Sequence, residues 1–159
     1  MTVSLEVGTG SAGLGLVLAA PARRGSELLV FDDGVPRDDP SIYTVQVGRA
    51  RHVHSERIRY LNHSCVPNSI VDTETRTVVA ARDIEGGEEL TYFYPSTEWD
   101  MVGPFACDCG VPRCLRLIRG ARHLPADFVW PVGANEHIRS LLAERRGGAE
   151  LPANPRREG

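Results

Sequence analysis

With 159 residues, 42% of them hydrophobic, the chain is long enough for one domain with one substantial core, and its composition is that of a globular protein. A formal net charge of −3 argues against a nucleic-acid groove as the main surface and against direct nucleic-acid binding, because phosphate recognition needs a basic footprint. No apolar run is long enough to cross a membrane and the start carries no signal-peptide pattern, which places the chain in a reducing cytoplasm. All 18 basic residues are arginine, so the protein has no lysine of its own. The bias toward arginine and alanine fits a bacterial source.

In chain order, Val3 to Val7 alternates apolar and polar residues and reads as a strand. Gly8-Thr9-Gly10-Ser11-Ala12-Gly13-Leu14-Gly15 is a glycine-dense loop. It is either a hairpin connection or a main-chain cradle for a ligand, since glycine lets a backbone approach closely. Leu16 to Ala20 reads as a buried strand, Glu27 to Phe31 as another, and Asp32 to Pro40 as a loop. Ile42 to Val47 alternates and is rich in β-branched and aromatic residues, the pattern of a half-buried strand. Gly48 to Arg59 is polar, and His52 and His54 within it read as surface histidines. The acidic pairs Asp32-Asp33, Asp38-Asp39 and Glu88-Glu89 suit a basic partner, or simply form a solvated acidic face.

Asn62-His63-Ser64-Cys65-Val66-Pro67-Asn68 makes neither a good strand nor a good helix. Asn, His and Ser compete for their own backbone groups, and Pro donates nothing. It is a surface turn around a buried Cys or a loop that binds something. Ser69 to Asp72 and a turn at Thr73 to Thr75 lead to a strand from Arg76 to Arg82. Ile84 to Glu88 is a tight turn and Glu89 to Tyr94 a strand ending at Pro95. Three of the four cysteines fall in Cys107-Asp108-Cys109-Gly110-Val111-Pro112-Arg113-Cys114. Cys-x-Cys does not close on itself as a disulfide. Together with Cys65 these thiols complete a Cys₄ zinc set, the alternative being four buried free thiols. Asn135 to Arg146 is the one long helix expected, with Ile138, Leu141 and Leu142 on one face and Gly147 as its stop.

Asn62 to Asn68 resembles the signature loop of the SET-domain protein lysine methyltransferases. Glu88-Glu89-Leu90-Thr91-Tyr92-Phe93-Tyr94 resembles their second signature, Cys107 to Cys114 their post-SET zinc knot, and Gly13-Leu14-Gly15 their N-terminal GxG segment. The four elements stand in the family's order over residues 5 to 120 or so. The resemblance implies a mainly β fold, a β-rich α+β arrangement of small curved sheets. It also implies a pseudoknot in which the segment near Tyr94 passes beneath the loop near Asn62. On this reading residues 1–104 are a SET domain, 105–120 a post-SET zinc segment, 121–147 a helical extension, and 148–159 a disordered tail.

The resemblance further implies S-adenosylmethionine as cofactor, held by Gly13, Leu14, Gly15, Asn62 and His63. It implies structural zinc on Cys65, Cys107, Cys109 and Cys114. Tyr94 occupies the position that orients a lysine amine, Tyr92 the position that sets product degree toward monomethylation, and Tyr43 that of a second channel tyrosine. The implied partner is a basic protein or peptide. A small-molecule amine, a peptide natural product, or a module that kept the fold without the chemistry are the alternatives. Phe93 stands where the family commonly has Asp, and Leu115-Arg116 where it commonly has Arg-Gly.

Overall fold

The computed structural model describes residues 3–148; of the expected tail, residues 149–159 lie outside it. Twelve short strands and one α-helix are present among the described residues. β1 (Leu5–Gly10) and β2 (Gly13–Leu18) form a hairpin whose register runs from Leu5 opposite Leu18 to Gly10 opposite Gly13. The glycine-dense stretch is therefore mostly strand, closed by the two residues Ser11 and Ala12. Gly13 has φ +100°, a conformation that L side chains resist and glycine adopts freely.

Leu16 and Leu18 at the base of this hairpin are buried. They pack with Phe31, Val71, Val78, Ile84 and Leu90 in the main core. That core lies against two three-stranded antiparallel sheets. One comprises β3 (Glu27–Val30), β9 (Thr77–Ala80) and β8 (Ser69–Asp72). The other comprises β4 (Val35–Arg37), β6 (Arg51–His54) and β5 (Thr44–Gly48). The β8–β9 turn is set by Asp72, whose Oδ1 accepts from the Glu74 and Thr75 amides at 2.9 and 3.0 Å, an Asx turn.

β4 and β6 fall in stretches that read as polar loop. Pro36 and two histidines hide the alternation, and pairing to both sides of β6 overrides it. His52 is accordingly buried at 4% exposure, not a surface residue. His54 is half-buried and paired with Glu56 at 2.8 Å.

The two signature segments meet in a two-residue parallel ladder, β7 (Asn62–His63) with β10 (Thr91–Tyr92). Side chains extend the contact. Asn68 Nδ2 donates to Glu89 O at 2.8 Å, and Asn68 Oδ1 accepts from Thr91 N at 2.9 Å. The expected longer strand through Tyr94 gives way to a 3₁₀ turn, Tyr94–Ser96, because Pro95 removes a ladder donor. This close crossing of two distant segments is the pseudoknot-type topology that the sequence resemblance implied.

β11 (Phe105–Ala106) and β12 (Leu117–Ile118) pair across the cysteine-rich segment. α1 (Glu136–Arg146) buries Ile138, Leu141 and Leu142 against Trp99 and Ala121 in a separate small core. Its N-cap Asn135 does not cap the helix with its own side chain. That amide instead donates to Val71 O and Ser96 O, both at 2.9 Å, and accepts from the Thr73 amide. The helix start is thus tied to β8 and to the turn that follows Tyr94.

Candidate active site

A cavity of about 600 Å³ opens between the β1–β2 hairpin tip, β7, β10 and the segment Met101–Phe105. Ala12, Leu14, Asn62, His63, Tyr92, Tyr94 and Glu98 are among its lining residues. The size is that of a small-molecule or cofactor site.

The glycines of the β1–β2 hairpin have different reasons to be glycine. Gly13 needs its positive φ, and a side chain there meets open space. At Gly15, and at Gly10 on the neighbouring strand, a Cβ would strike the Glu89 carboxylate. That carboxylate accepts from Ser11 N and from Asn62 Nδ2, both at 2.8 Å. Asn62 Nδ2 also donates to Leu14 O at 3.0 Å. Asn62 and Glu89 together therefore clamp the hairpin tip over β7. Of the hairpin tip, Ala12 and Leu14 line the cavity, whereas Gly13 and Gly15 do not.

His63 faces inward. Its Nδ1 accepts from Tyr94 N at 3.2 Å, which leaves the proton on Nε2, 3.4 Å from Cys65 Sγ. Burial pushes the imidazole down to about 4, so it is neutral at pH 7. Its side chain joins the two signature segments to the cysteine cluster, leaving only its backbone for a ligand.

Tyr94 sits in an aromatic group with Tyr92, His63 and Phe105 at centroid distances of 4.7, 5.2 and 5.9 Å. The Tyr94 hydroxyl donates to Leu61 O at 3.0 Å. With its proton committed there, its lone pairs remain free to accept from a donor in the cavity. Burial, followed by the charges of Glu98 and Glu89, holds the Tyr94 phenol well above its ordinary range. Tyr92 is raised in the same way, by burial first. Tyr43 lines the same cavity, but at the mouth: it is 51% exposed, with the Arg59 guanidinium 5.2 Å from its ring centroid.

The four cysteine sulfurs lie within 4.8 Å of one another. A tetrahedral zinc with Zn–S near 2.3 Å asks for sulfurs about 3.8 Å apart, so the donor set fits with small adjustment. The amides of Leu115 and Arg116 already point at Cys65 Sγ and Cys114 Sγ, at 3.5 and 3.4 Å. Amides aimed at sulfur suit thiolates. Burial pushes the Cys65 thiol up and the Cys107 thiol up to about 11, so a cation would be what holds these two as thiolates, while at Cys109 burial is outweighed by hydrogen bonds that bring its thiol down to about 7.

Both departures from the family pattern find local explanations. Phe93 is buried and stacks on Phe128 at 5.8 Å and 9°, with Trp130 edge-on at 5.7 Å. The residues after the cysteine segment supply its partners. Arg116, where glycine is usual, takes φ +64°: the left-handed turn is kept without the glycine, a conformation that costs about 1–2 kcal/mol.

Sequence reasoning missed Glu89 as the hairpin clamp and Glu98 as a cavity residue. Glu89 stood inside a quoted motif, and its role needs the space left by Gly10 and Gly15 opposite it. Glu98 carries no signal of its own beyond lying four residues after Tyr94. The aspartate pairs are solvent-exposed, as a solvated face would be, and several acids have partners within the chain: Asp32 pairs with Arg57, Asp33 with Ser55, and Glu88 with Arg82. Asp38 and Asp39 line a shallow groove that shares Ser41 and Thr44 with the cavity.

Residues 13–95 match the SET domain family. The chain is 37% identical over 133 residues to the methyltransferase flvH of Aspergillus flavus, covering 82% of this chain and 74% of that one. It is 42% identical over 83 residues to the histone-lysine N-methyltransferase ASHR3 of Arabidopsis thaliana, but spans only 16% of it. Among solved structures, KRYPTONITE in complex with mCHH DNA, H3(1-15) peptide and SAH superposes with a TM-score of 0.57. The identity is 26%, over 74% of this chain and 30% of that one. No helix among the described residues is long and apolar enough to cross a membrane. The clamped hairpin, the crossed signature segments and the cysteine cluster stand together in one chain matched over most of its length, and the protein belongs to the SET-domain family of methyltransferases.

Proposed function

We propose that the protein is an S-adenosylmethionine-dependent N-methyltransferase acting on a lysine ε-amine of a basic protein or peptide. The observation that carries this reading is Tyr94, a part-buried hydroxyl whose proton is engaged by Leu61 O and whose lone pairs are left for the cavity. Bound cofactor supplies an electrophilic methyl on a positively charged sulfur. The main chain at Gly13, Leu14 and Gly15, with Asn62 and the backbone of His63, holds it at the hairpin end. Tyr94 accepts a hydrogen bond from the amine and aims its lone pair along the reaction axis; positioning of this kind contributes on the order of 7–11 kcal/mol. Tyr43 and Arg59 flank the mouth through which the acceptor enters, and the Asp38-Asp39 groove beside it suits neighbouring positive charge.

Tyr92 is buried, with its hydroxyl 3.4 Å from Thr97 Oγ1. A hydroxyl in that position fills the space that a methylated amine needs to turn in, which biases the product toward monomethylation. Tyr92→Phe is expected to raise the dimethyl fraction in mass spectra of product; an unchanged distribution refutes the role.

A small-molecule amine or peptide natural product is the second reading. It is favoured by the long match to flvH, whose name specifies no protein acceptor.

The test that needs no known substrate is calorimetric titration of zinc-loaded protein with S-adenosylmethionine and S-adenosylhomocysteine. One-site binding is expected. It is expected to fall at least tenfold in Asn62→Ala, which releases Leu14 O and leaves Glu89 without its amide partner. Absence of binding to the folded, zinc-loaded wild type would leave a peptide-binding module in place of an enzyme. Mass increments on candidate acceptors then separate protein from small-molecule substrates.

A further inference from the structure

An amine reaches this cavity as an ammonium ion, because a free lysine has a pKa of about 10.4. It cannot attack until it loses a proton, so some group must receive that proton. Tyr94 and Tyr92 are unsuited to it, since both phenols are buried beside a carboxylate and neither holds a negative charge readily. The His63 ring nitrogens are both engaged, with Tyr94 N and Cys65 Sγ.

Among the described residues one acid lines the cavity: Glu98, two residues beyond the Tyr94–Ser96 turn and 9% exposed. No ion pair among the described residues includes it. Its Oε1 accepts from Gln46 N at 2.8 Å and from Thr97 Oγ1 at 3.0 Å. Thr97 Oγ1 in turn lies 3.4 Å from the Tyr92 hydroxyl. A hydroxyl chain thus runs from Tyr92 at the channel wall, through Thr97, to a carboxylate that no cation neutralises. Burying an unpaired carboxylate is costly unless a cation visits it.

We propose that Glu98 balances the charge of the incoming ammonium and takes its proton, directly or along the Tyr92–Thr97 hydroxyl pair. The inference rests on the amine-methyltransferase reading above. The ammonium N–H bond breaks and Glu98 becomes a neutral carboxylic acid, while the amine keeps the electron pair that then forms the N–CH₃ bond. Through the chain, Tyr92 receives the amine proton, passes its own to Thr97, and Thr97 passes its own to Oε1. The methylated product leaves as a cation, and Glu98 returns its proton to water when the cavity reopens, one proton per turnover.

Burial pushes the Glu98 carboxyl up to about 7, against the lowering effect of the Gln46 and Thr97 hydrogen bonds. That is a suitable strength for a base working near neutral pH. The titratable groups around it are Tyr92 and Tyr94, whose phenols feel its charge, and His137 of α1, which contacts Thr97 O at 2.8 Å. Arg122 and His123 on the adjoining turn are both engaged by Asp100.

The test measures labelled methyl transfer to poly-lysine and to n-butylamine from pH 6 to pH 10, for wild type, Glu98→Gln and Glu98→Asp. S-adenosylhomocysteine binding is recorded on the same preparations. The wild-type rate is expected to rise through about pH 7 as Glu98 ionises. Glu98→Gln should lose on the order of 100-fold at pH 7 and recover toward wild type near pH 10, where free amine arrives already deprotonated. Glu98→Asp keeps an acid and should keep the pH-dependent limb at a reduced rate. A Gln variant that is impaired equally at every pH, or an Asp variant without the limb, would reduce Glu98 to a structural residue and overturn the proposal. A wild type that binds S-adenosylhomocysteine yet transfers methyl to no amine would remove the reading beneath it, and Glu98's role with it.

Discussion

Tyr94→Phe should reduce methyl transfer by about 100-fold while leaving S-adenosylhomocysteine affinity within a few fold of wild type. The substitution removes one oxygen and keeps the ring in contact with Tyr92, His63 and Phe105. What is lost is a hydrogen bond to a reacting nitrogen that becomes cationic as it is methylated. Hydrogen bonds to charged groups contribute about 1.5–3 kcal/mol, and each 1.36 kcal/mol is a tenfold change in rate. A second consequence concerns stability. Leu61 O loses the donor it has at 3.0 Å, and an unsatisfied buried acceptor costs about 1–3 kcal/mol. The thermal midpoint should therefore fall as well. Single-turnover rates with excess enzyme separate the two effects, because they are measured on folded, cofactor-bound protein. A Phe variant within twofold of wild type in that assay would deny Tyr94 its orienting role.

Cys114→Ser should abolish zinc binding and lower S-adenosylhomocysteine affinity at least tenfold, while the β-rich body stays folded. Structural zinc contributes about 10–16 kcal/mol, as large as the whole stability of a typical domain. Taken alone, that magnitude predicts complete unfolding. The packing predicts otherwise. Cys65, Cys107 and Cys114 belong to a small cluster with Ile118, Met101 and Phe105, distinct from the main core around Phe31, Leu18 and Val78 and joined to it through Tyr94. Ordering a residue costs about 1–2 kcal/mol, so holding the dozen or so residues from Phe105 to Ile118 absorbs most of what zinc supplies. The affinity loss follows from geometry: Met101 to Phe105 forms a cavity wall, and His63 joins β7 to Cys65. Zinc content by atomic absorption, far-ultraviolet circular dichroism and calorimetry on one preparation check the three parts. Loss of the β signal together with zinc would show that the cores are not independent.

The cysteine cluster shows why some of the site was legible before any coordinates. Cys65 and the Cys107–Cys114 segment lie far apart in the chain, yet the chemistry of thiols limits what four of them can do, and their sulfurs do converge. The strand Thr77–Ala80 and the helix Glu136–Arg146 were readable for a related reason. Their periodicity is written by one buried face. Arg51–His54 was not readable, because it is paired on both edges and its histidines mask the alternation.

The sequence by itself determined the chemistry-bearing residue types and their order: GxG, the Asn-His loop, the Tyr-x-Tyr segment and the cysteines. It also determined the mainly β character, since local propensity and solvent-facing alternation are properties of neighbouring residues. Only the tertiary structure decided what those residues face. It turned the glycine stretch into a hairpin clamped by Glu89, set Tyr43 at the cavity mouth, and buried His52. It also brought Glu98 to the channel through Thr97 and Tyr92. Hydrogen bonds and burial between segments up to 95 residues apart depend on how the chain crosses itself, and no local pattern records that crossing.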